Sequence, residues 1–357
     1  MKGIIIMNGW EEIVRKVTPY VPGEQPRKAD VIKLNTNENP YPPSPKVAEV
    51  LRAFDAGRLR KYPDPESSAL VSALAEAYDV NRAQIFVGVG SDDVLAMSFL
   101  TFFGSRRPVL FADITYSFYP VWCELFGIPF ETPALDDEFR WRKEDYFGDN
   151  GGIVIANPNA PTGIAADLSD IEEVVAHNPD VVCIVDEAYV DFGGESALPL
   201  VGRYENLLVV RTFSKSRSLA GSRIGFAFGS RKLISYLNDA KFSFNSYTMD
   251  AVTQEIGVAA LSDESYFNNT VGRIVATRGR AEKLLWELGF TVLPSSANFL
   301  FVTHPTFPAD ELFAMLKEKG IFVRYFKSPR IDDYLRITVG TDEEMEALAA
   351  ALREYMG

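Results

Sequence analysis

The chain is poor in the residue types that build disulfide frameworks, metal sites and histidine-based catalytic triads. Its 357 residues include two cysteines and two histidines. Two cysteines are too few for a disulfide scaffold, and Cys183 lies inside an apolar segment, so we expect both thiols to be buried in a reducing compartment. His177 and His304 are far apart in sequence and belong to no ligand-spaced motif, which argues against a metal site. The chemistry must come from Lys, Asp, Tyr, Asn and Arg side chains.

Basic residues and long apolar runs are also scarce. Lysine and arginine number 36 against 49 aspartates and glutamates, a net charge of −13. No basic stripe stands out, which argues against a nucleic-acid partner. No apolar run approaches the length of a membrane span, and the stretch from Met1 to Met7 is too short for the core of a signal peptide. We therefore expect a cytoplasmic enzyme with no membrane partner.

Apolar sequence, by contrast, is plentiful and is arranged as alternating short strands and helices. Hydrophobic residues make up 47% of the chain, enough for a sizeable core and two unequal domains. The alternation predicts an α/β fold, with a mostly parallel sheet in a large domain (31–255) and a smaller α/β domain (256–357). A short helix at 9–17 and an extended arm are predicted within 1–30, packed with the small domain. Residues 249–288 are predicted to be helical.

Polar side chains follow three apolar strands, at the point where each strand ends. The three are 152–156 before Asn157 and Asn159, 181–185 before Asp186 and Tyr189, and 206–210 before Ser214 and Lys215. Since open α/β sheets bind ligands at the carboxyl ends of their strands, these groups should meet in one crevice. A lysine in such a place can form a Schiff base with a carbonyl cofactor, and a carboxylate beside it can keep the cofactor ring protonated.

These segments, in this order, resemble the fold-type I family of pyridoxal-phosphate (PLP) enzymes, most closely its histidinol-phosphate aminotransferase branch. The resemblance runs nearly end to end. Its motifs are Thr18-Pro19-Tyr20, Leu34 to Pro40, Tyr62 to Pro65, Gly90-Ser91-Asp92, Thr115-Tyr116, the Asn-Pro turn at 157–163, Asp186 to Tyr189, Ser214-Lys215, Gly221 to Gly225, Ala297-Asn298-Phe299 and Leu335 to Gly340. It implies a homodimeric aminotransferase that uses PLP to exchange an amino group between L-histidinol phosphate and 2-oxoglutarate.

The resemblance also implies a role for each site residue. Lys215 would hold PLP and transfer the proton, Asp186 would pair with the ring nitrogen, and Tyr189 would hydrogen-bond the phenolate oxygen. The other cofactor contacts would be Ser91, Asp92 through its backbone N–H with the carboxylate pointing away, Tyr116 on the ring face, Ser214, Arg223, and Tyr62 from the partner subunit. Substrate would be bound by Tyr20, Asn37, Arg324 and Arg336. The structural alternatives are a solvent-facing Lys215 and an Asp186 that only caps a helix.

Two positions depart from the family pattern. Ala160 stands where an asparagine usually precedes Pro-Thr-Gly, so Asn159, or alternatively Asn157, is predicted to take over the cofactor contact. The segment Ser216-Arg217-Ser218 replaces the usual small and aromatic residues after the lysine, and is predicted to place an extra cation near the phosphate.

Other functions remain open at this point. A threonine-phosphate decarboxylase or an aromatic amino-acid aminotransferase would share the fold and the cofactor. A regulator built on this fold would need an added basic DNA-binding domain, for which the chain has no room. A nicotinamide dehydrogenase would need a full dinucleotide fingerprint, whereas the segment 88–93 has Asp93 in place of the third glycine.

Overall fold

A seven-stranded and a four-stranded sheet organise the chain, which a computed structural model describes over residues 9–26 and 30–357. The strands are β1 (Ile32–Lys33), β2 (Ile85–Gly88), β3 (Val109–Leu110), β4 (Phe130–Glu131), β5 (Gly152–Ala156), β6 (Cys183–Asp186), β7 (Leu207–Thr212), β8 (Gly225–Gly229), β9 (Thr291–Val292), β10 (Phe299–Thr303), β11 (Ile321–Phe322), β12 (Arg324–Tyr325) and β13 (Leu335–Thr338). The α-helices are α1 (Pro45–Ala53), α2 (Ser68–Tyr78), α3 (Ser91–Phe102), α4 (Phe118–Phe126), α5 (Leu168–His177), α6 (Arg231–Phe244), α7 (Ala251–Leu261), α8 (Glu264–Glu287), α9 (Ala309–Glu318) and α10 (Asp342–Met356). The prediction for Met1 to Met7 lies outside the described residues.

The large sheet has the strand order β2-β8-β7-β6-β5-β3-β4. Its strands from β7 to β4 run parallel, and β8 is antiparallel to both of its neighbours. Every residue of β6 and β7 is buried, as expected for strands that are covered on both faces. The predicted α/β class with a mostly parallel sheet is therefore confirmed, and the carboxyl ends of β5, β6 and β7 lie at one edge.

Alternate residues of the central strands enter two different hydrophobic cores. Val185 and Val209 pack in one core, whereas Ile184 and Leu208 pack in the core on the other face. Because side chains alternate along a strand, consecutive residues at a strand end also leave on opposite faces.

The smaller sheet is antiparallel, with the order β12-β13-β10-β9. Helices α8, α9 and α10 supply buried residues to its core, and Leu34 belongs to the same core. Strand β1 pairs with β11, so residues 32–34, predicted to begin the large domain, pack with the small one. Helix α7 contributes Ile256 and Ala260 to a core of the large sheet. We therefore propose that the boundary between the domains lies between α7 and α8.

The helix predicted at 9–17 is wrong. The structure has a single 3-10 turn, Gly9–Glu12, and the following chain is irregular. Trp10 and Ile13 are 61% and 86% exposed in the described chain, and a short helix that packs no apolar face is not stable.

The prediction of continuous helix over 249–288 is wrong in one place. Helix α7 ends before Ser262, and Asp263 starts α8 by accepting a hydrogen bond from the backbone N–H of Tyr266, as an N-cap residue does. Among the described residues, no helix is long and apolar enough to cross a membrane.

Candidate active site

A crevice opens at the carboxyl ends of β5, β6 and β7. It encloses roughly 830 Å³ of empty space, the open solvent at its mouth included. Twelve of the predicted site residues line it: Tyr20, Asn37, Ser91, Asp92, Tyr116, Asp186, Tyr189, Ser214, Lys215, Arg223, Arg324 and Arg336. The ends of β5, β6 and β7 therefore meet at the crevice, but of these three only β6 and β7 contribute the predicted polar groups, since the end of β5 contributes Ala156, Pro158 and Ala160.

Lys215 lies in the wall of the crevice and is partly buried. Its Nζ donates to the carbonyl oxygen of Thr36 at 3.2 Å and lies 5.7 Å from the centroid of the Tyr189 ring. The amide of Asn39 donates to the Lys215 carbonyl oxygen at 3.1 Å. These contacts hold the amine inside the crevice, so Lys215 is not a solvent-facing turn lysine.

Asp186 is the last residue of β6 and is only 6% exposed. The hydroxyl of Tyr119 donates to its Oδ2 at 2.8 Å, and the backbone N–H of Ala188 donates to its Oδ1 at 3.2 Å. Burial raises the pKa of Asp186 to about 6, although both hydrogen bonds oppose the rise. Both donors are neutral, and a buried carboxylate is costly without a cation. The site is therefore prepared for a positively charged partner.

Tyr119 is a site residue that the sequence analysis did not single out. It is fully buried in α4, and burial together with the Asp186 charge raises its pKa well above the usual value. Tyr119 therefore remains a hydrogen-bond donor at any physiological pH. The sequence offered no clear signal for it, because Tyr119 lies in the apolar helix α4, where a tyrosine is typical of packing.

The turn between β2 and α3 forms a cradle with the amino end of a helix at its base. Gly90 has φ of +88°, and a Cβ on Gly225 would lie 2.2 Å from the Gly90 carbonyl carbon. Only glycine allows this approach of β8 to the helix start. Ser91 begins α3, Ser214 Oγ accepts from Arg223 Nη1 at 3.4 Å, and helix amino ends bind anions through free N–H groups. The cradle therefore suits a phosphate.

The side chain of Asp92 does not point away from the crevice, so that prediction is wrong. Its Oδ1 accepts from the Tyr116 hydroxyl at 2.8 Å, and its Oδ2 accepts from Arg223 Nη2 at 2.9 Å. Burial and the Asp92 charge raise the pKa of Tyr116 well above its usual value. Asp92 therefore orients two crevice residues as well as offering its backbone N–H.

Arg324 and Arg336 are register partners on β12 and β13, so two cations stand opposite each other. Arg336 donates from Nη2 to the Asn35 carbonyl oxygen at 3.2 Å, and its buried Nε has no hydrogen-bond partner among the described residues. Burial lowers the pKa of Arg336, and the Arg324 charge adds to the effect. Like charges at paired positions are unfavourable, and an anion bound between the two would relieve both costs.

Asn37 and Tyr20 bring the amino-terminal part of the chain into the crevice wall. The Asn37 amide donates to the Tyr189 hydroxyl at 2.9 Å, and Thr338 Oγ1 accepts from the Asn37 backbone N–H at 3.0 Å. Tyr20 stacks on Phe118 of α4, with 4.2 Å between ring centroids. Both residues therefore connect the amino-terminal segment to the walls of the site.

Neither asparagine proposed to replace the missing family residue faces the crevice. The Asn159 amide donates to the Ile114 carbonyl oxygen at 2.9 Å and to Thr162 Oγ1 at 3.1 Å, and this side chain lines a separate cavity. The Asn157 amide oxygen accepts from the Ala166 backbone N–H at 2.9 Å. Both side-chain amides are therefore hydrogen-bonded to other parts of the protein and do not point into the crevice.

Two further predicted contacts lie elsewhere. Arg217 donates to the Ala260 carbonyl oxygen at 3.0 Å and lies 4.2 Å from the centroid of the Phe267 ring, so the extra cation is not at the cradle. Tyr62 is 81% exposed and stacks on Tyr247 at 4.5 Å. Its contact with a partner subunit stays a prediction.

The chain matches one protein family over most of its length. The sequence profile described as aminotransferase class I and II matches residues 29–352. Histidinol-phosphate aminotransferase from Chromohalobacter salexigens is 54% identical over 343 residues, covering 96% of this chain and 97% of that protein. The protein of that name from Lactococcus lactis subsp. cremoris is 51% identical, with coverages of 97% and 98%.

Solved structures are similar in fold. Histidinol-phosphate aminotransferase from Sinorhizobium meliloti, in complex with pyridoxal-5'-phosphate, matches with a TM-score of 0.83 at 26% identity, covering 91% of this chain and 90% of that chain. L-threonine-O-3-phosphate decarboxylase from Porphyromonas gingivalis matches with a TM-score of 0.77 at 20% identity, covering 91% and 99%. At that identity the second likeness concerns the fold alone.

Proposed function

Because the chain belongs to the class I and II aminotransferase family, we propose that it is a PLP-dependent enzyme that moves an amino group between L-histidinol phosphate and 2-oxoglutarate. One observation carries the proposal: Lys215, the buried Asp186 and the incompletely bonded Arg336 line a single crevice. Relatives named histidinol-phosphate aminotransferase at 50–54% identity support the choice of substrate. The decarboxylase alternative is supported by a likeness at 20% identity, which concerns the fold alone.

The residues of the crevice fit PLP. Asp186 is a buried carboxylate with neutral donors, and the absence of a Cβ at Gly225 lets β8 lie directly against the start of α3, where the cradle is formed. When bound, PLP supplies an aldehyde that condenses with amines and a protonated ring that accepts electrons released at the substrate carbon. The Lys215 amine would hold the cofactor through that aldehyde, and it would then act as the general base and acid that moves the proton.

The other cofactor contacts hold this chemistry in place. Ionised Asp186 would pair with the ring nitrogen, and the Tyr119 hydroxyl fixes the carboxylate. Tyr189, held by Asn37, would donate to the phenolate oxygen. The phosphate contacts are the first N–H groups of α3 at Ser91 and Asp92, with Ser214 and Arg223. Asn159 is left out of the proposal, because its amide hydrogen bonds are made to the protein.

The charge of the crevice favours anionic substrates. The residues lining it include four cations, Lys215, Arg223, Arg324 and Arg336, against two carboxylates, Asp92 and Asp186, although the whole chain carries a net charge of −13. We propose that Arg336 binds a carboxylate of 2-oxoglutarate or glutamate as a bidentate pair. Arg324 and Tyr20 then help to hold the phosphate of the amino donor.

The proposal includes a homodimer in the cytoplasm. Tyr62 is exposed beside Arg58, Arg60 and Lys61, a surface suited to reach the cofactor phosphate of a second subunit. The two cysteines are buried and unpaired, in keeping with a reducing compartment.

The test is the visible absorbance of the protein loaded with PLP, recorded before and after addition of histidinol phosphate without any keto acid. We expect the band of the lysine-bound cofactor to disappear and to return when 2-oxoglutarate is added. Lys215→Ala should lack that band, whereas Lys232→Ala, an exposed lysine of α6, should behave as the wild type. An unchanged band with histidinol phosphate, or release of carbon dioxide from O-phosphothreonine, would refute the proposed activity.

A further inference from the structure

A buried ion cluster lies behind Lys215, and none of its four members lines the crevice. We call it the Arg211 cluster; it consists of Arg211, Glu187, Asp191 and Ser216. Arg211 Nε donates to Glu187 Oε2 at 2.9 Å, and Arg211 Nη1 lies 3.5 Å from Asp191 Oδ1. Ser216 Oγ donates to Asp191 Oδ2 at 2.5 Å. Arg211 on β7 thus binds the segment that follows β6, and Ser216 joins the turn after β7 to the same segment.

The carboxylate of Glu187 is completely enclosed and fully bonded. The side-chain exposures of Arg211 and Glu187 are 9% and 0%. Ser196 Oγ donates to Glu187 Oε2 at 2.8 Å, and the Ala197 backbone N–H donates to Oε1 at 2.6 Å. Buried charges are tolerated only when they are paired and hydrogen-bonded, and removal of one partner leaves an uncompensated charge. The Arg211 cluster therefore holds its buried charged groups in fixed positions relative to each other.

Members of the Arg211 cluster are close in sequence to residues that line the crevice. Ser216 directly follows Lys215, and Asp191 is two residues beyond Tyr189. On the other side of the turn, the Asn39 amide donates to the carbonyl oxygens of Lys215 and Ser216, at 3.1 and 3.3 Å. The backbone that carries the reactive amine is thus held at two points, by Asn39 and by the hydroxyl of Ser216.

The same cluster is anchored beside the residue proposed to pair with the cofactor ring. Glu187 follows Asp186, and the alternation along β6 directs the two carboxylates to opposite faces of the sheet. Asp186 faces Tyr119, whereas Glu187 faces Arg211. A displacement of Glu187 would therefore be transmitted through one peptide unit to Asp186.

We propose that the Arg211 cluster is a positioning device, which holds the turn carrying Lys215 against the segment carrying Asp186 and Tyr189. Its residues do not touch substrate; they fix the amine relative to the ring and to the carbon atom that gains and loses a proton. Misplacement of a reacting group by about 1 Å costs up to roughly 100-fold in rate. The inference rests on the proposed function, since it concerns PLP attached to Lys215.

The first test uses Ser216→Ala in the PLP-loaded protein. The matched control is Ser98→Ala, which also removes a buried hydroxyl with one hydrogen bond, to the Val94 carbonyl oxygen at 2.7 Å, inside α3. Ser216→Ala should lose more stability than Ser98→Ala, because the Ser216 hydroxyl donates to a charged acceptor, so the rates are compared at a temperature at which both variants are fully folded. Only Ser216→Ala should slow the reaction with saturating amino donor, about tenfold, with its KM unchanged.

A second measurement does not depend on turnover. The visible band of the bound cofactor is titrated with pH, and its midpoint should move by about half a pH unit or more in Ser216→Ala and Asp191→Asn, because the amine no longer keeps its place among its neighbours. It should not move in Ser98→Ala. Arg211→Lys keeps the charge but loses the fork, so its effects should be milder than those of Arg211→Met.

The outcomes separate the two proposals. If Ser216→Ala and Asp191→Asn match Ser98→Ala in both rate and titration midpoint, the cluster serves stability alone and the inference is overturned. That conclusion holds even if Arg211→Met fails to fold, because the two milder variants carry the test. A wild-type protein that shows no band with PLP would instead refute the proposed function.

Discussion

Removal of the Tyr119 hydroxyl should make the stability of the cofactor-free protein more sensitive to pH. In the structure this hydroxyl donates to Asp186 Oδ2 at 2.8 Å, and both groups are buried. Tyr119→Phe keeps the ring and removes only the donor. The hydrogen bond favours the ionised carboxylate, so its loss should raise the pKa of Asp186 further.

The size of the expected rise in the pKa of Asp186 follows from the charge of the hydrogen-bond acceptor. A hydrogen bond to a charged group contributes about 1.5–3 kcal/mol, which corresponds to a rise of about one to two pH units at 1.36 kcal/mol per unit. Burial already raises the pKa of Asp186 from 3.8 to about 6. Because the folded state binds the proton more tightly than the unfolded state, this group favours folding at low pH, and that contribution is lost as pH rises from about 4 to 6. In the variant the loss should continue to about pH 7–8.

The assay is urea unfolding of the cofactor-free protein at fixed concentration between pH 5 and pH 8. The difference in unfolding free energy between wild type and Tyr119→Phe should be larger at pH 8 than at pH 5, by about 1–2 kcal/mol. Tyr146→Phe is the control, since Tyr146 is buried in the core on the other face of the sheet, and its effect should not vary with pH. A difference for Tyr119→Phe that is equal at both pH values would refute the reasoning.

Three further predictions concern the substrate, the cradle and the subunit contact. Arg336→Lys should raise the KM for 2-oxoglutarate about 10- to 100-fold through loss of the bidentate pair. Arg324→Gln should instead raise mainly the KM for the phosphate-bearing donor. Steady-state kinetics with each substrate varied tests both expectations, and equal effects on the two substrates would contradict them. Gly225→Ala should weaken PLP binding and destabilise the protein by roughly 2 kcal/mol or more, because its Cβ would lie 2.2 Å from Gly90. Gly272→Ala in α8, where a Cβ meets nothing within 4 Å, should instead stabilise by about 0.5–1 kcal/mol; thermal unfolding and PLP titration compare the two. Tyr62→Phe should raise the Kd for PLP several-fold, and unchanged binding in a cofactor titration would exclude the contact across subunits.

The main features of the fold could be predicted because the central strands are buried on both faces. Such strands are continuous apolar runs, so the polar residues after them mark the edge of the sheet where a ligand binds. The predicted strand ends were close to those observed, and Asp186 proved to be the last residue of β6 itself. The twelve crevice residues follow from those strand ends and from the family motifs.

The directions of individual side chains could not be predicted from the same pattern. Asn159 sits next to Ala160 in a turn, and its amide faces away from the crevice because the carbonyl oxygen of Ile114 and the hydroxyl of Thr162 bind it. Tyr119 belongs to an apolar helix, where a tyrosine is indistinguishable in sequence from a packing residue. Arg217 follows Lys215 closely but binds the end of α7 at Ala260, a contact between segments distant in sequence.

The break between α7 and α8 was hard to predict, because a single N-cap residue is a weak signal within a long stretch of helical periodicity. Ser262 and Asp263 interrupt a long helical region at the proposed boundary between the domains, where Asp263 caps α8. At residues 9–17 the sequence suggested too much helix. The apolar residues near Trp10 favour a helix, but they pack against no core in the part of the chain that the structure describes.

The most direct test of the account is the fate of the amino nitrogen. Histidinol phosphate labelled with ¹⁵N at its amino group is incubated with the PLP-loaded protein and unlabelled 2-oxoglutarate, and the products are analysed by mass spectrometry. The account predicts one labelled glutamate for each histidinol phosphate consumed, and no transfer by Lys215→Ala. Consumption of the donor without label in glutamate, or no consumption at all, would contradict it.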